Sequence, residues 1–255
     1  MIFKGGNSVV SPRARLGRNV RIGDRSVIHD NVVLEDDVTI ANDCVIGEPQ
    51  SDYYEGEHYN NPETSIGSGS LIRSHAIVYA GVSLGSGFSC GHRVTIREGV
   101  STGKSCRVGT LCDLQGNLTM GDYVWLHSNV HLGQGSLIED FVFIYPYVVL
   151  TNDPLPPSDQ LRGVTVRRYT QIGTMSVVMP GVEIGSNSLV GAGAVVTKNV
   201  EDFSCVVGNP AKRVKDVREM KMPDGTPAYP WPHRFDRGMP WAGIGYDAWI
   251  QSQTR

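Results

Sequence analysis

Ile66-Gly67-Ser68-Gly69-Ser70-Leu71-Ile72 opens the stretch that decides the fold. Stepping by six from Ile66 gives Ile72, Val78, Leu84, Cys90, Ile96, Thr102, Val108, Leu114, Met120, Leu126, Leu132, Ile138, Ile144 and Leu150 without a slip. The same step runs earlier from Val10 to Ile46 and later from Val166 to Val196, giving 28 positions in register. Only Cys90 and Thr102 are neither aliphatic nor Met. A period of six fits no α-helix and exceeds simple strand alternation. It fits a short strand followed by a turn, repeated. Two residues before most of these positions stands Ser, Ala, Val, Cys or Thr, so a small and a large side chain point inward together. Glycine follows at 13 of the 28 positions, where a turn would use its tolerance of unusual backbone angles.

Composition agrees with a packed domain. The chain has 255 residues, 40% of them hydrophobic, and a formal charge of −3. That charge argues against nucleic acid as the main partner. No apolar run reaches the length of a membrane span. The start, Met1-Ile2-Phe3-Lys4-Gly5-Gly6, lacks a signal-peptide core, so a cytoplasmic protein is expected. Five cysteines without paired spacing suggest reduced thiols. Cys44, Cys90, Cys106 and Cys112 occupy inward positions and read as inert buried thiols.

The pattern resembles the hexapeptide-repeat family, in which an aliphatic residue and Gly precede four variable positions. The resemblance covers residues 10 to about 213. It implies an all-β, left-handed parallel β-helix, three hexapeptides to a coil, here about nine coils. The expected domains are the β-helix over 1–207 and an irregular tail over 208–255, packed on the helix or on a neighbouring subunit. No function for the tail, with Trp231, Trp241 and Trp249, is legible in the sequence.

Two loops, 47–65 and 151–165, interrupt the repeat. With eighteen residues per coil, residue n stacks on n+18. Both loops then leave one edge of the prism, roughly 24 Å apart. The first holds Asp52, Tyr53, Tyr54, Glu55, Glu57, His58 and Tyr59; the second is rich in proline. Long loops on a rigid scaffold often carry function.

Stacking also gathers the candidate chemistry. His127 takes a glycine position, with Tyr145 above it; Tyr147 lies over Asn129, and Asp113 under His131. Arg93 and His75 continue the Asn129 column. His131, oriented by Asp113, is a candidate base, and His127 is its rival. In the nucleotide-amino-sugar N-acetyltransferases that this chain resembles, the position of Asn129 binds sugar, and Thr151-Asn152 before proline matches a segment of those enzymes. The resemblance implies acetyl transfer from acetyl-CoA to an amine of a nucleotide-linked sugar, as in surface-polysaccharide synthesis. It also implies a homotrimer with sites between subunits. Gly173 is the candidate to polarise the thioester carbonyl through its backbone. Gly191, Ala192 and Ala194 would admit the pantetheine arm, and Lys198, Lys212 and Arg213 would meet phosphate. Alternatives are a sugar O-acetyltransferase, a zinc enzyme like the γ-type carbonic anhydrases, and a non-catalytic scaffold. No metal is expected, because His127 and His131 are four apart where five is expected, although His92 lies 35 residues before His127.

Overall fold

The computed structural model describes residues 5–56 and 59–253; Met1 to Lys4 and the loop residues Glu57 and His58 lie outside them. Every one of the 28 register positions is the inward residue of a short strand. The strands form a left-handed parallel β-helix of three faces, with ten, nine and eleven strands among the described residues. Pairing follows n to n+18, as in Asp113 with His131 and Leu114 with Leu132. Ser204–Val207 adds a turn beyond the expected coils, and Lys212–Asp216 folds back on it antiparallel.

The core is one file per face. Ile28, Leu34, Ile40 and Ile46 are each 1% exposed or less, whereas Val10 and Leu16 are 37% and 46% exposed. The difference is positional, since the first coil has no coil beneath it among the described residues. Each buried aliphatic side chain contributes about 1.5–3 kcal/mol relative to exposure. Small inward polar residues satisfy themselves on the next coil. Ser26 Oγ donates to Ala41 O at 2.7 Å, and Thr170 Oγ1 to Gly185 O at 2.7 Å. Cysteines fill the same role: Cys112 Sγ donates to His127 O at 3.0 Å. Burial pushes the Cys90 and Cys106 thiols up to about 12 and that of Cys112 to about 11, so none supplies a thiolate at neutral pH.

The glycines after the aliphatic residue serve a purpose other than the expected one. A Cβ on Gly109 would meet the backbone carbon of His127 at 2.4 Å. Close coil-to-coil approach, not an unusual φ, excludes a side chain there. The left-handed backbone lies three residues before the aliphatic position, as at Asn129 (φ 60°), Tyr147 (62°), Arg93 (54°) and His75 (65°).

Both loops leave the ten-strand face, after Val45–Glu48 and Val149–Leu150, and re-enter the nine-strand face at Thr64–Ile66 and Thr165–Val166. They share one edge, five strand spacings apart, or roughly 24 Å. The tail covers the outer side of the eleven-strand face. There Trp231, Trp241, Tyr229 and Met239 pack on Trp125, Phe141 and Phe143, all buried. Trp231 Nε1 donates to Tyr169 O at 2.8 Å, and Trp241 Nε1 to Phe235 O at 2.8 Å.

Candidate active site on one prism edge

The edge between the eleven-strand and ten-strand faces carries most of the candidate residues. Hydrogen bonds run from His127 N to Ile144 O, Tyr145 N to Ile172 O and Gly173 N to Val190 O, each 2.8–2.9 Å. Gly109, His127, Tyr145, Gly173 and Gly191 therefore form one vertical file. The His127 and Tyr145 rings stack with centroids 4.8 Å apart and planes 10° apart. This half-buried position lowers the His127 pKa through desolvation, so its imidazole is neutral near pH 7. Asn129 and Tyr147 stand beside these rings in the adjoining left-handed file. Asparagine tolerates that conformation well, which gives Asn129 a structural reason to be there.

Asp113 and His131 lie on the ten-strand face next to this edge. His131 Nδ1 is 3.2 Å from Asp113 Oδ2. Gln115 Nε2 donates to the same oxygen at 3.3 Å. The hydrogen bond from His131 is the main cause that holds the Asp113 carboxyl below its usual range. In the neutral imidazole this contact puts the proton on Nδ1 and leaves Nε2 as an acceptor.

Other expected residues fall elsewhere. Thr151 and Asn152 sit on the opposite edge of the ten-strand face, at the neck of the second loop. Thr151 Oγ1 donates to Val178 O at 2.8 Å, and Asn152 O accepts from Arg162 N at 2.7 Å, closing the loop. Within one chain they do not meet His127.

The expected acyl-donor residues need three corrections. The Gly173 N–H donates to Val190 O at 2.8 Å, so the strand ladder consumes it and it cannot polarise a carbonyl. A Cβ on Gly173 would lie 2.6 Å from Ala192 N, so space explains this glycine. Ala194 is 0% exposed and points into the core, away from any bound arm. Gly191 and Ala192 do lie on the edge. Arg213 is partly committed, with Nε donating to Ser204 Oγ at 3.0 Å and Nη2 3.7 Å from Asp216. Lys198 and Arg213 nevertheless line a cleft of about 290 Å³ at the end of the prism, while Lys212 is exposed on the adjoining hairpin.

Among the described residues no three His, Cys, Asp or Glu side chains gather as a metal would require. No helix among them is long and apolar enough to cross a membrane. One cavity was missed from sequence. Phe143, Tyr145, Gln171, Trp231, Arg234 and Phe235 enclose about 220 Å³ between tail and prism. Its prism and tail walls are at least sixty positions apart in sequence, and the aromatic richness of the tail was the sole sequence signal.

Comparison with known proteins agrees with this architecture. A model of the bacterial transferase hexapeptide (six repeats) matches residues 163–198, and one of the hexapeptide repeat of succinyl-transferase matches 13–48. Galactoside O-acetyltransferase of Escherichia coli is 27% identical over 131 residues, 40% of this chain and 64% of that protein. A 2,3,4,5-tetrahydropyridine-2,6-dicarboxylate N-acetyltransferase of Ligilactobacillus salivarius is 43% identical over 65 residues, 26% of this chain and 27% of that one. In both cases the match spans less than two thirds of the relative's length. The Arabidopsis UDP-N-acetylglucosamine acyltransferase structure shares the fold, with a TM-score of 0.65 at 17% identity, covering 82% of this chain and 73% of that one.

Proposed function

We propose that this chain, a hexapeptide-repeat β-helix resembling the acyltransferases, moves an acetyl group from acetyl-CoA to the amine of a nucleotide-linked sugar. The observation that carries the reading is the oriented Asp113–His131 pair beside the neutral, Tyr145-capped His127. His131 Nε2 takes a proton from the amine as its nitrogen bonds to the thioester carbon. The C–S bond then breaks, and the proton passes to the departing CoA sulfur. His127, uncharged, stands beside the neutral amine of the acceptor, and Asn129 and Tyr147 flank it. Further along the same edge Ala192 is exposed and leaves room for the pantetheine arm, while the space beside Gly191 is taken by Val207.

The ten-strand face supports assembly. Its outward file reads Val27, Val45, Ile77, Val149, Val177 and Val195, an apolar column broken only by Thr95, Asp113 and His131. In our reading this face packs in a C3 trimer, which would bring the second loop and its Thr151 and Asn152 to a neighbour's site. The likeness to an O-acetyltransferase favours a second reading, with a sugar hydroxyl as acceptor.

The test offers acetyl-CoA with a panel of nucleotide-linked sugars, with and without an amino group, and follows free thiol release. Amide product with the amino sugars is expected, and His131→Asn should lower kcat at least about 10²-fold. Ester product instead establishes the hydroxyl reading. No thiol release with any acceptor sinks both.

A further inference from the structure

We infer that the seam where the tail crosses Arg107 is a site for a tetrahedral oxyanion of the phosphate or sulfate class, held between Arg107 of the prism and Arg237 of the tail. The site stands apart from the transfer chemistry proposed above and does not depend on it.

Two rings in contact build the seam. Trp125 of the prism and Phe235 of the tail meet edge to face, with centroids 5.6 Å apart. Each carries a guanidinium. Arg107 Cζ lies 4.2 Å from the Trp125 ring centroid, and Arg237 Cζ 5.9 Å from that of Phe235. The tail backbone runs directly over the first pair. A Cβ on Gly238 would collide with Arg107 Nη2 and stand 3.2 Å from Trp125 Cζ2. Both arginines are exposed, so dissolved ions reach them.

The unmatched groups at this seam are all donors. Neither guanidinium donates a hydrogen bond or forms an ion pair among the described residues. Asp122, three residues before Trp125, faces Lys104 instead, with its Oδ2 3.7 Å from Nζ. Partial burial, and then the charge of Arg237, lower the Arg107 pKa, and no carboxylate opposes them. Arginine stays charged nonetheless. Trp125 is 9% exposed, and its Nε1, two bonds from Cζ2, is buried without an acceptor among the described residues. Buried donors are almost always paired. Docking the tail therefore assembles two like charges and an orphaned N–H, with no acceptor in the chain to match them.

One tetrahedral oxyanion supplies the acceptors. Two of its oxygens fit the fork of Arg107, a third reaches Arg237, and the fourth turns to the indole edge. Chloride has no such directions, and a carboxylate has only two oxygens in one plane. Arg237 arrives with the tail, so only the docked tail completes the site. The anion must then strengthen docking as it binds.

The experiment titrates sodium phosphate into the whole protein by isothermal calorimetry, in sodium chloride of matched ionic strength, and follows the near-UV melting midpoint alongside. Saturable binding is expected, with phosphate raising the midpoint by about 4 °C or more over matched chloride. Arg237→Gln keeps the rings of the tail and should weaken phosphate binding at least about tenfold. Arg237→Glu sets a carboxylate beside Arg107; it should raise the midpoint without phosphate and remove the response to it. A midpoint that chloride raises as far as phosphate does means plain screening of two like charges and overturns the site. An unchanged phosphate affinity in Arg237→Gln overturns it too. Glucose 1-phosphate separates two sources of the same chemistry. Equal binding of ester and ion supports a free oxyanion, and tighter binding of the ester supports a phosphoryl group on a larger ligand, held by the same two arginines.

Discussion

The coil stack and the tail bury similar side chains by opposite means. In the stack, Leu114, Leu132 and Leu150 lie one above another, each covered by residues of its own register. Trp241 in the tail is just as buried, at 1% exposed, yet its ring neighbours are Phe141 of the prism and Trp231, Tyr246 and Trp249 of the tail, and the last three follow no repeat. A stacked coil is held from both sides by near-copies of itself, and its stability is close to a sum of nearest-neighbour interactions. The tail is held by one patch on one face. The stack should therefore yield cooperatively, and the tail should be able to leave it.

The largest expected effect follows from that asymmetry. Trp241→Ala removes the most buried ring of the tail and should cost about 3–5 kcal/mol, confined to the tail. Near-UV circular dichroism should lose its aromatic signal while the far-UV β signal stays. If both signals fall in one transition, tail and stack are a single cooperative unit and the contrast fails. Leu132→Ala should cost about 2–5 kcal/mol but lower the urea midpoint of the whole stack. A Leu132→Ala protein whose near-UV signal alone changed would mean that the coils, too, open piecemeal.

The same contrast governs how much could be read from the sequence. The stack was legible because an error at one position is corrected by its neighbours in register. Thr102 and Cys90 break the aliphatic pattern, yet Ile96 and Val108 around them keep the count. Counting also placed His127 under Tyr145 and Asp113 under His131, because residue n must lie beneath n+18. Counting cannot reveal hydrogen bonds already spent. The Gly173 N–H looked available and is consumed by Val190. Ala194 looked like part of a smooth edge, although its step from Val196 places it inward. Glycine after the aliphatic residue suggested a turn angle, whereas the cause is a neighbouring coil too close for a Cβ. The cavity beside Tyr145 was beyond reach, since its far wall belongs to a segment with no period to count.

The smallest expected effect lies where the two regions touch, at Tyr145. Desolvation disfavours the charged imidazole, so His127 titrates below its unfolded value of about 6.5. Below that pH the unfolded chain binds a proton that folded His127 resists. Stability from this group is thus complete above about 6.5 and lost as pH falls, until the folded imidazole is itself protonated. A His127→Gln protein should therefore lose less of its melting temperature between pH 7 and pH 5 than the parent does. The tail enters because Trp231 and Phe235 line, with Phe143, the same cavity as Tyr145, the ring that stacks on His127. If they help keep water from the stacked pair, loosening the tail with Trp241→Ala should move the His127 midpoint, followed by its imidazole proton resonances, up toward 6.5. A midpoint that ignores Trp241→Ala would show that the ring of Tyr145 alone shields His127, and that the tail holds its cavity without acting on the edge.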